Sequence, residues 1–126
     1  MTDKVVDASG VVALLFNELT RDSVVAHLSG ASLHAPSLLE FEVANACLKK
    51  MRASPREREA LLQAFSLFHH LSIALEDIDL TQAATLAERT KLSLYDASYL
   101  WLARELDAEL VTLDDKLARA DKRLRG

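Results

Sequence analysis

The side chains of this chain that could do chemistry are carboxylates placed inside apolar segments. Asp96 lies in the segment LSLYDASYLWLARELDAELVTLDD, which predicts an apolar helix, a tight break at residues 107–108, and a short strand. At about 100° per residue, Asp96 aligns with Leu100 and Ala103 on a predicted buried stripe of the helix. Ser98 falls on the opposite side. A carboxylate on such a stripe is costly unless backbone donors or a cation compensate for its lost hydration.

Each acid also has a purely structural explanation. Ser93 and Asp96 have the spacing of a capping box, in which the acid bonds back to the first amide of its helix. Asp7 follows a short apolar run and could cap the helix predicted from Ser9, as Asp114 could cap the last helix. Both residues also follow predicted strands, and the carboxyl ends of strands are where open α/β sheets bind ligands. At this point a helix cap and a shared polar site are both open.

Two glutamates lie in the helix predicted for residues 36–51. Neither Glu40 nor Glu42 has a lysine or arginine three or four residues away, so neither has a local ion pair. Glu42 aligns with Leu38 and Ala46 on an apolar stripe, whereas Glu40 lies on the far side of the helix. The periodicity therefore favours Glu42 as the acid that points inward.

Predicted strands and helices alternate along the whole chain, which predicts an α/β fold with a parallel sheet and helices on its faces. Because crossovers are right-handed, the carboxyl ends of parallel strands share one edge, where we expect Asp7 and Asp114. The helices that bear Glu42 and Asp96 are predicted to start near that edge, so one acidic cluster explains the acids better than three separate caps. The predicted strands are 4–7, 33–35, 72–75 and 109–112; the predicted helices are 9–16, 20–29, 36–51, 54–70, 80–90, 92 to the break at 107–108, and 116 onwards.

The composition is that of one ordinary domain, because half of the 126 residues are hydrophobic. The one cysteine excludes an internal disulfide. No segment has the roughly 20 apolar residues that span a bilayer, so we expect a soluble cytoplasmic protein. The net charge of −4 reflects 15 Lys and Arg against 19 Asp and Glu. If four acids form a metal site, 15 remain against 15, which argues against strong non-specific phosphate binding.

Three segments of the chain together resemble a known family. They are VVDAS near the start, APSLLEFEVANAC in the middle, and LSLYDASYLWLARELDAELVTLDDKL near the end. These segments resemble the PIN-domain ribonucleases, and among them the VapC-type toxins of bacterial toxin–antitoxin pairs. The resemblance covers almost the whole chain, with the acids in the family's order and spacing. It implies a single PIN-like domain over residues 1–126, with a three-layer α/β fold, about four parallel strands, and helices on both faces of the sheet.

The resemblance also implies a catalytic role for four acids. Carried over by position, they are Asp7, Glu42 of the segment EVAN rather than Glu40, Asp96 of YDASYL, and Asp114 of VTLD. Asp7, Asp96 and Asp114 are expected to bind Mg²⁺, for which Mn²⁺ can substitute, and Glu42 to act as a further ligand or as a water-orienting base. Packed carboxylates repel one another, and a divalent cation with oxygen ligands relieves that repulsion.

Further positions match the family or depart from it. Ser9 and Thr112 match small hydroxyl positions beside the site, where the resemblance implies contact with metal-bound water or substrate. Gly10 stands where the family often has a branched apolar residue. The chain ends ADKRLRG, where many relatives have a further hydrophobic strand, so the sheet is expected to have one edge strand fewer.

The resemblance implies a metal-dependent endoribonuclease that acts as the toxin of a type II toxin–antitoxin system. Its expected partners are an RNA substrate, a cognate VapB-like antitoxin and a second copy of the chain, with larger toxin–antitoxin assemblies and no membrane. The alternative is a non-catalytic PIN-like module that binds RNA or protein, against which the acids at all four positions argue. A phosphatase of the haloacid-dehalogenase type needs Asp-x-Asp, and here Ser9 occupies the second acidic position.

Overall fold

A computed structural model describes the protein over residues 1–126. Its centre is a sheet of four strands: β1 (Asp3–Val6), β2 (Ser32–Pro36), β3 (Ala74–Glu76) and β4 (Glu109–Val111). The order across the sheet is β3-β2-β1-β4, so the first and last strands are neighbours. Every pair is parallel. The predicted α/β class and the predicted number of strands are confirmed.

Seven helices surround the sheet: α1 (Ala8–Leu15), α2 (Arg21–Leu28), α3 (Leu39–Ala53), α4 (Arg58–Phe65), α5 (Leu80–Thr90), α6 (Leu94–Glu105) and α7 (Asp115–Arg125). Adjacent residues of a strand point to opposite faces of the sheet, and Val5 and Val6 are both fully buried. Helices thus cover both faces, and 22 buried residues form one hydrophobic core. None of the helices combines the length and apolar composition of a membrane span.

The helix α6 packs against β1, β2 and β4 and also contacts α5 and α7. It is therefore buried on more than one side: Leu100 and Ala103 of the predicted stripe are fully buried. Ser98, on the opposite side of the helix, is also fully buried. Its hydroxyl donates to the carbonyl of Leu94 at 2.8 Å, so it is buried with its hydrogen bond made.

The helix predicted for residues 54–70 is not continuous. It starts with a 3₁₀ turn at Pro55–Glu57, and α4 ends at Phe65, where Ser66 donates its hydroxyl to the carbonyl of Gln63 at 2.6 Å. A second 3₁₀ turn, Phe68–Leu71, then places Phe68 in the core. Ser72 has φ 54°, a left-handed turn conformation, so β3 begins after it rather than at residue 72.

Pro36 ends β2 rather than starting α3, which begins at Leu39. Pro36 pairs in register with Glu76 of β3. The amide of Ser37 then donates to the carbonyl of Glu76 at 3.0 Å, so the chain stays bonded to β3 just past the proline. The predicted helix start is therefore three residues too early, because a proline suits a strand end as well as a first helical turn.

His34 of β2 connects three strands of the sheet. Its Nδ1 lies 2.7 Å from the carboxylate of Glu76 on β3, and its Nε2 lies 2.9 Å from the carboxylate of Asp3 on β1. Burial lowers the pKa of His34, but the hydrogen bonds to the two acids raise it more, so the pKa lies above its ordinary value. Both partners of His34 are far away along the chain, so no local pattern in the sequence indicates this bridge.

Candidate active site

The carboxyl ends of β1 and β4 lie side by side. Val6 pairs in register with Val111, so Asp7 leaves β1 where Thr112 leaves β4. The amide of Asp7 donates to the carbonyl of Val111 at 3.3 Å. Residues 7 and 114 thus lie at one edge of the sheet, the edge at which open α/β sheets bind their ligands.

Asp7 is only 5% exposed, and both oxygens of its carboxylate accept hydrogen bonds. Oδ1 accepts from the Ser9 hydroxyl at 2.6 Å and from the Gly10 amide at 3.1 Å. Oδ2 accepts from the Thr112 hydroxyl at 2.5 Å. The bond from Gly10 makes Asp7 the N-cap of α1, so the capping explanation of this residue is part of its structure.

Backbone amides that follow β4 orient the two hydroxyls on Asp7. The Leu113 amide donates to Oγ of Ser9 at 2.9 Å, and the Asp114 amide donates to Oγ1 of Thr112 at 3.0 Å. Because an amide can only donate, each hydroxyl directs its own proton to Asp7. In this structure Ser9 and Thr112 hold Asp7 in place.

Gly10 allows α1 to start directly against β1. A Cβ atom at this position would lie 3.0 Å from a methyl carbon of Val6 and 3.8 Å from Oδ1 of Asp7. The first distance is shorter than side chains normally allow, and Val6 is fully buried. The departure from the family at this position therefore has a packing reason, and the glycine amide is one of the donors to Asp7.

Asp114 and Asp96 occupy the start of two further helices. Asp114 caps α7 with one oxygen, because its Oδ1 accepts from the Leu117 amide at 2.9 Å. Asp96 is partly buried in the first turn of α6, where Ser93 caps the helix by accepting from the Asp96 amide at 3.1 Å. The carboxylate of Asp96 returns no hydrogen bond to the Ser93 amide. The predicted capping box is therefore only half formed.

Glu42 lies in the first turn of α3 and accepts a hydrogen bond from the Tyr99 hydroxyl at 2.5 Å. Glu40 instead meets His69, whose Nε2 lies 3.0 Å from its carboxylate. The structure thus turns Glu42, and not Glu40, toward the other acids. Sequence reasoning missed Tyr99, because 57 residues separate it from Glu42 and a tyrosine in an apolar helix is typical of a core.

Three of the acids have a raised pKa, and in each case the charge of another acid of the set contributes. Burial raises the pKa of Asp7, and the charge of Asp114 raises it further, although its three hydrogen bonds lower it. Burial raises the pKa of Asp96, and the charges of Asp114 and Asp7 add to the effect. Burial also raises the pKa of Glu42; the Tyr99 bond lowers it, and Asp96 and Asp7 raise it. The structure brings all four predicted acids into one negatively charged cluster.

Each acid stands at or near the N-terminus of a different helix. Asp7 and Asp114 are the N-caps of α1 and α7, while Glu42 and Asp96 lie in the first turns of α3 and α6. The unpaired amides and the helix dipole give each of these ends a partial positive charge, which favours a nearby carboxylate. Four helix N-termini thus offset part of the repulsion within the cluster.

The donors of the cluster suit a hard divalent cation. Carboxylate oxygens are the ligands that Mg²⁺ prefers, and neighbouring carboxylates repel one another, which a cation would relieve. However, no three Asp, Glu, His or Cys side chains are arranged to hold one ion together. The chemistry of the donors therefore fits a metal, while their positions do not form a complete coordination shell.

A parallel sheet with clustered acids at the carboxyl end of its first strand is the arrangement that the sequence motifs indicate. Residues 4–123 match the PIN domain, and the chain therefore belongs to the PIN-domain family. The predicted resemblance to PIN-domain ribonucleases is thereby confirmed, and individual relatives support it.

The relatives include ribonucleases of the VapC type. The chain is 32% identical to Ribonuclease VapC3 of Mycobacterium tuberculosis (strain CDC 1551 / Oshkosh) over 117 residues, which cover 92% of this chain and 85% of that protein. It is 35% identical to Ribonuclease VapC3 of Pyrobaculum aerophilum over 119 residues, which cover 90% and 91%. The crystal structure of PAE2754 from Pyrobaculum aerophilum superposes with a TM-score of 0.78 at 28% identity, covering 94% of this chain and 86% of that one.

Proposed function

We propose that this protein is a metal-dependent endoribonuclease that acts as the toxin of a type II toxin–antitoxin system. The observation that carries the proposal is the single cluster formed by Asp7, Glu42, Asp96 and Asp114 in a chain of the PIN-domain family. The ribonuclease names of the relatives support RNA as the substrate.

In this proposal the acids have different tasks. Asp7 is the fixed ligand, because it is buried and its two oxygens are held by hydrogen bonds. Asp96 and Asp114 would be the other ligands of Mg²⁺ or Mn²⁺, for which no complete shell is preformed. When bound, the ion supplies Lewis acidity for the attack of water on the phosphodiester and neutralises charge on its oxygens. Glu42 orients the attacking water.

The proposed partners are those that the family resemblance implies. A cognate VapB-like antitoxin is expected to place a C-terminal segment with a basic side chain into the cluster, where opposite charge favours it. The toxin is expected to form a homodimer. A tight antitoxin complex that retains full nuclease activity would contradict this mode of inhibition.

The second candidate is a PIN-like module that binds RNA or protein without cutting. The observation that favours it is the lack of a preformed coordination shell. Against it stand the four acids, which a pure binding module has no need to keep together, since clustered like charges are unfavourable without a cation.

Cleavage assays separate the two candidates. We expect the purified protein to cut single-stranded RNA with Mg²⁺ or Mn²⁺ and to stop when EDTA is added, and Asp7→Asn to be inactive. Asp79→Asn is the matched control, because Asp79 caps α5 through the Gln82 amide at 3.0 Å and lies outside the cluster. Cleavage in EDTA, or equal cleavage by Asp7→Asn, would falsify the nuclease proposal. RNA binding by a folded wild type that never cuts would favour the module.

A further inference from the structure

A buried hydroxyl contacts the cluster without belonging to it. Tyr99 is 1% exposed, and its hydroxyl donates to Oε1 of Glu42 at 2.5 Å. This length is that of a hydrogen bond from a hydroxyl to a charged carboxylate, which is among the stronger hydrogen bonds in proteins. It is the one hydrogen bond that the protein makes to the Glu42 carboxylate.

The bond connects two helices that carry acids. Tyr99 lies on α6 three residues after Asp96, and therefore on nearly the same face of that helix one turn later. Glu42 lies in the first turn of α3. The phenol thus sets the position of Glu42 relative to the helix that carries Asp96.

The direction of the bond is also determined. A charged carboxylate can only accept a hydrogen bond, so the phenol of Tyr99 is the donor to Glu42. One oxygen of the Glu42 carboxylate is thereby occupied. The other, Oε2, is left without a hydrogen bond from the protein.

We propose that Tyr99 is a positioning residue for the reaction: its hydroxyl holds Oε1 of Glu42, so that Oε2 alone is presented to the attacking water. The inference rests on the proposed nuclease function, in which Glu42 orients that water. A purely structural tyrosine would fill the core between α3 and α6 but would leave the rate of the chemical step unchanged when its hydroxyl is removed.

The first test compares two tyrosines of the same helix. Tyr99→Phe removes the hydroxyl and keeps the ring, and Tyr95→Phe is the matched control, because Tyr95 is 60% exposed and its hydroxyl makes no hydrogen bond in the protein. We expect kcat to fall on the order of ten- to hundred-fold in Tyr99→Phe, with KM for RNA nearly unchanged, because orientation at the reacting centre is lost. Tyr95→Phe should match the wild type in both constants.

A double-mutant cycle shows whether Tyr99 acts through Glu42. Glu42→Gln removes the charge that orients water, so adding Tyr99→Phe to it should cause little further loss of kcat. Losses that multiply, or a Tyr99→Phe protein with wild-type kcat, would overturn the inference. Melting temperatures of all variants show whether a lost activity reflects unfolding.

A third measurement does not depend on activity or on metal. In metal-free protein, the Tyr99 hydroxyl proton should give a downfield NMR signal that exchanges slowly, disappears in Tyr99→Phe and moves in Glu42→Gln. The absence of that signal in the wild type overturns the inference even if Tyr99→Phe fails to fold. Wild-type protein that shows the signal but cuts no RNA with either metal removes the proposed nuclease, and the role of Tyr99 in catalysis with it.

Discussion

A carboxylate has two oxygens, so it can cap a helix with one and keep the other available. Asp114 does this, because Oδ1 accepts from the Leu117 amide and Oδ2 accepts no hydrogen bond from the protein. Asp7 caps α1 but uses both oxygens, and Asp96 does not complete its capping box. A helix cap and a shared site are therefore not exclusive explanations of these acids.

The charge of Asp96 should cost stability when no metal is present. Its pKa is raised, so the folded protein binds that proton more tightly than the unfolded chain, and stability falls as pH rises past the ordinary value of 3.8. We expect Asp96→Asn in EDTA at neutral pH to melt at or above the wild type, with the difference closing as the pH is lowered toward 4. Mg²⁺ or Mn²⁺ should reverse the order, because a ligand that binds the folded state raises its melting temperature.

Asp79→Asn controls for the loss of an acid outside the cluster. Asparagine caps a helix about as well as aspartate, so this variant should melt near the wild type with or without metal. An Asp96→Asn protein that is clearly less stable in EDTA, with neither protein responding to metal, would show that Asp96 only stabilises the start of its helix.

The residues of the cluster could be predicted to different degrees. Apolar periodicity within one helix was enough to favour Glu42 over Glu40, since the spacing that decides it is local. The hydroxyls of Ser9 and Thr112 could be matched to the family, but their role as donors to Asp7 depends on the register of β1 and β4. Tyr99 could not be found, because nothing near it in the chain indicates its partner.

Among the elements, the strand β2 carries a histidine whose ring contacts an acid on each neighbouring strand. The raised pKa of His34 means that its charge adds stability below the ordinary value of 6.5, and that this contribution is lost as pH rises through the raised pKa. We therefore expect His34→Gln to lower the melting temperature more at pH 5.5 than at pH 8.

His70→Gln is the matched control for this pH dependence, because His70 is exposed and its ring makes no polar contact in the structure. Its effect should be small and equal at both pH values. Equal destabilisation by His34→Gln at pH 5.5 and pH 8 would show that the bridge to Asp3 and Glu76 contributes packing rather than charge.

The last helix, α7, begins at the acidic cluster and bears basic side chains along its length. Lys116, Arg119 and Arg123 are spaced by three and four residues, so they share one face of the helix. None of the three takes part in an ion pair within the protein. Lys116 lies close enough to Asp96 to lower its pKa. If the protein acts on RNA as proposed, we expect this face to contact phosphates of the bound strand.

Reversal of the three charges to Glu, in inactive Asp7→Asn protein, should weaken RNA binding. The slope of log Kd against log salt should fall by roughly 0.7 for each phosphate of a single strand that the variant no longer neutralises. The matched control is reversal of Lys49, Arg52 and Arg56, which are also outside ion pairs but lie on α3 and the turn after it. Equal weakening of RNA binding in the two triple variants would contradict a specific path along α7.

The elements themselves could largely be predicted from the chain. Strong periodicity and local caps placed most boundaries within two residues, as for α5, where Asp79 is the cap. The errors lie where the deciding interaction is not local. Phe68 is buried in the core, and the helix predicted for residues 54–70 is interrupted before it. The amide of Ser37 bonds to β3, and α3 starts later than predicted.

At the scale of the whole molecule, alternation of strands and helices predicted the parallel sheet but not its order. Alternation does not say which strands are neighbours, and the pairing of β1 with β4 brings together the start and end of the chain. The site is nevertheless placed near one edge by topology alone, because parallel strands share their carboxyl end.

The expected homodimer is a prediction about the whole molecule. It rests on the family resemblance and on apolar positions in the early helices, of which Val25 and Phe41 are exposed in the single chain. Leu19, in the turn between α1 and α2, is exposed as well. We expect light scattering to give twice the mass of one chain, because burial of such side chains against a second copy is favourable. A monomer at every concentration would contradict the prediction.

The bonds that hold Asp7 also determine when the site can exist. They join residue 7 to residue 112 and residue 9 to residue 113, over separations of 105 and 104 positions. A chain is synthesised from its N-terminus, so β1 cannot pair with β4 until nearly the whole chain has been translated. The proposed ribonuclease therefore has no assembled site while most of its own mRNA is being translated.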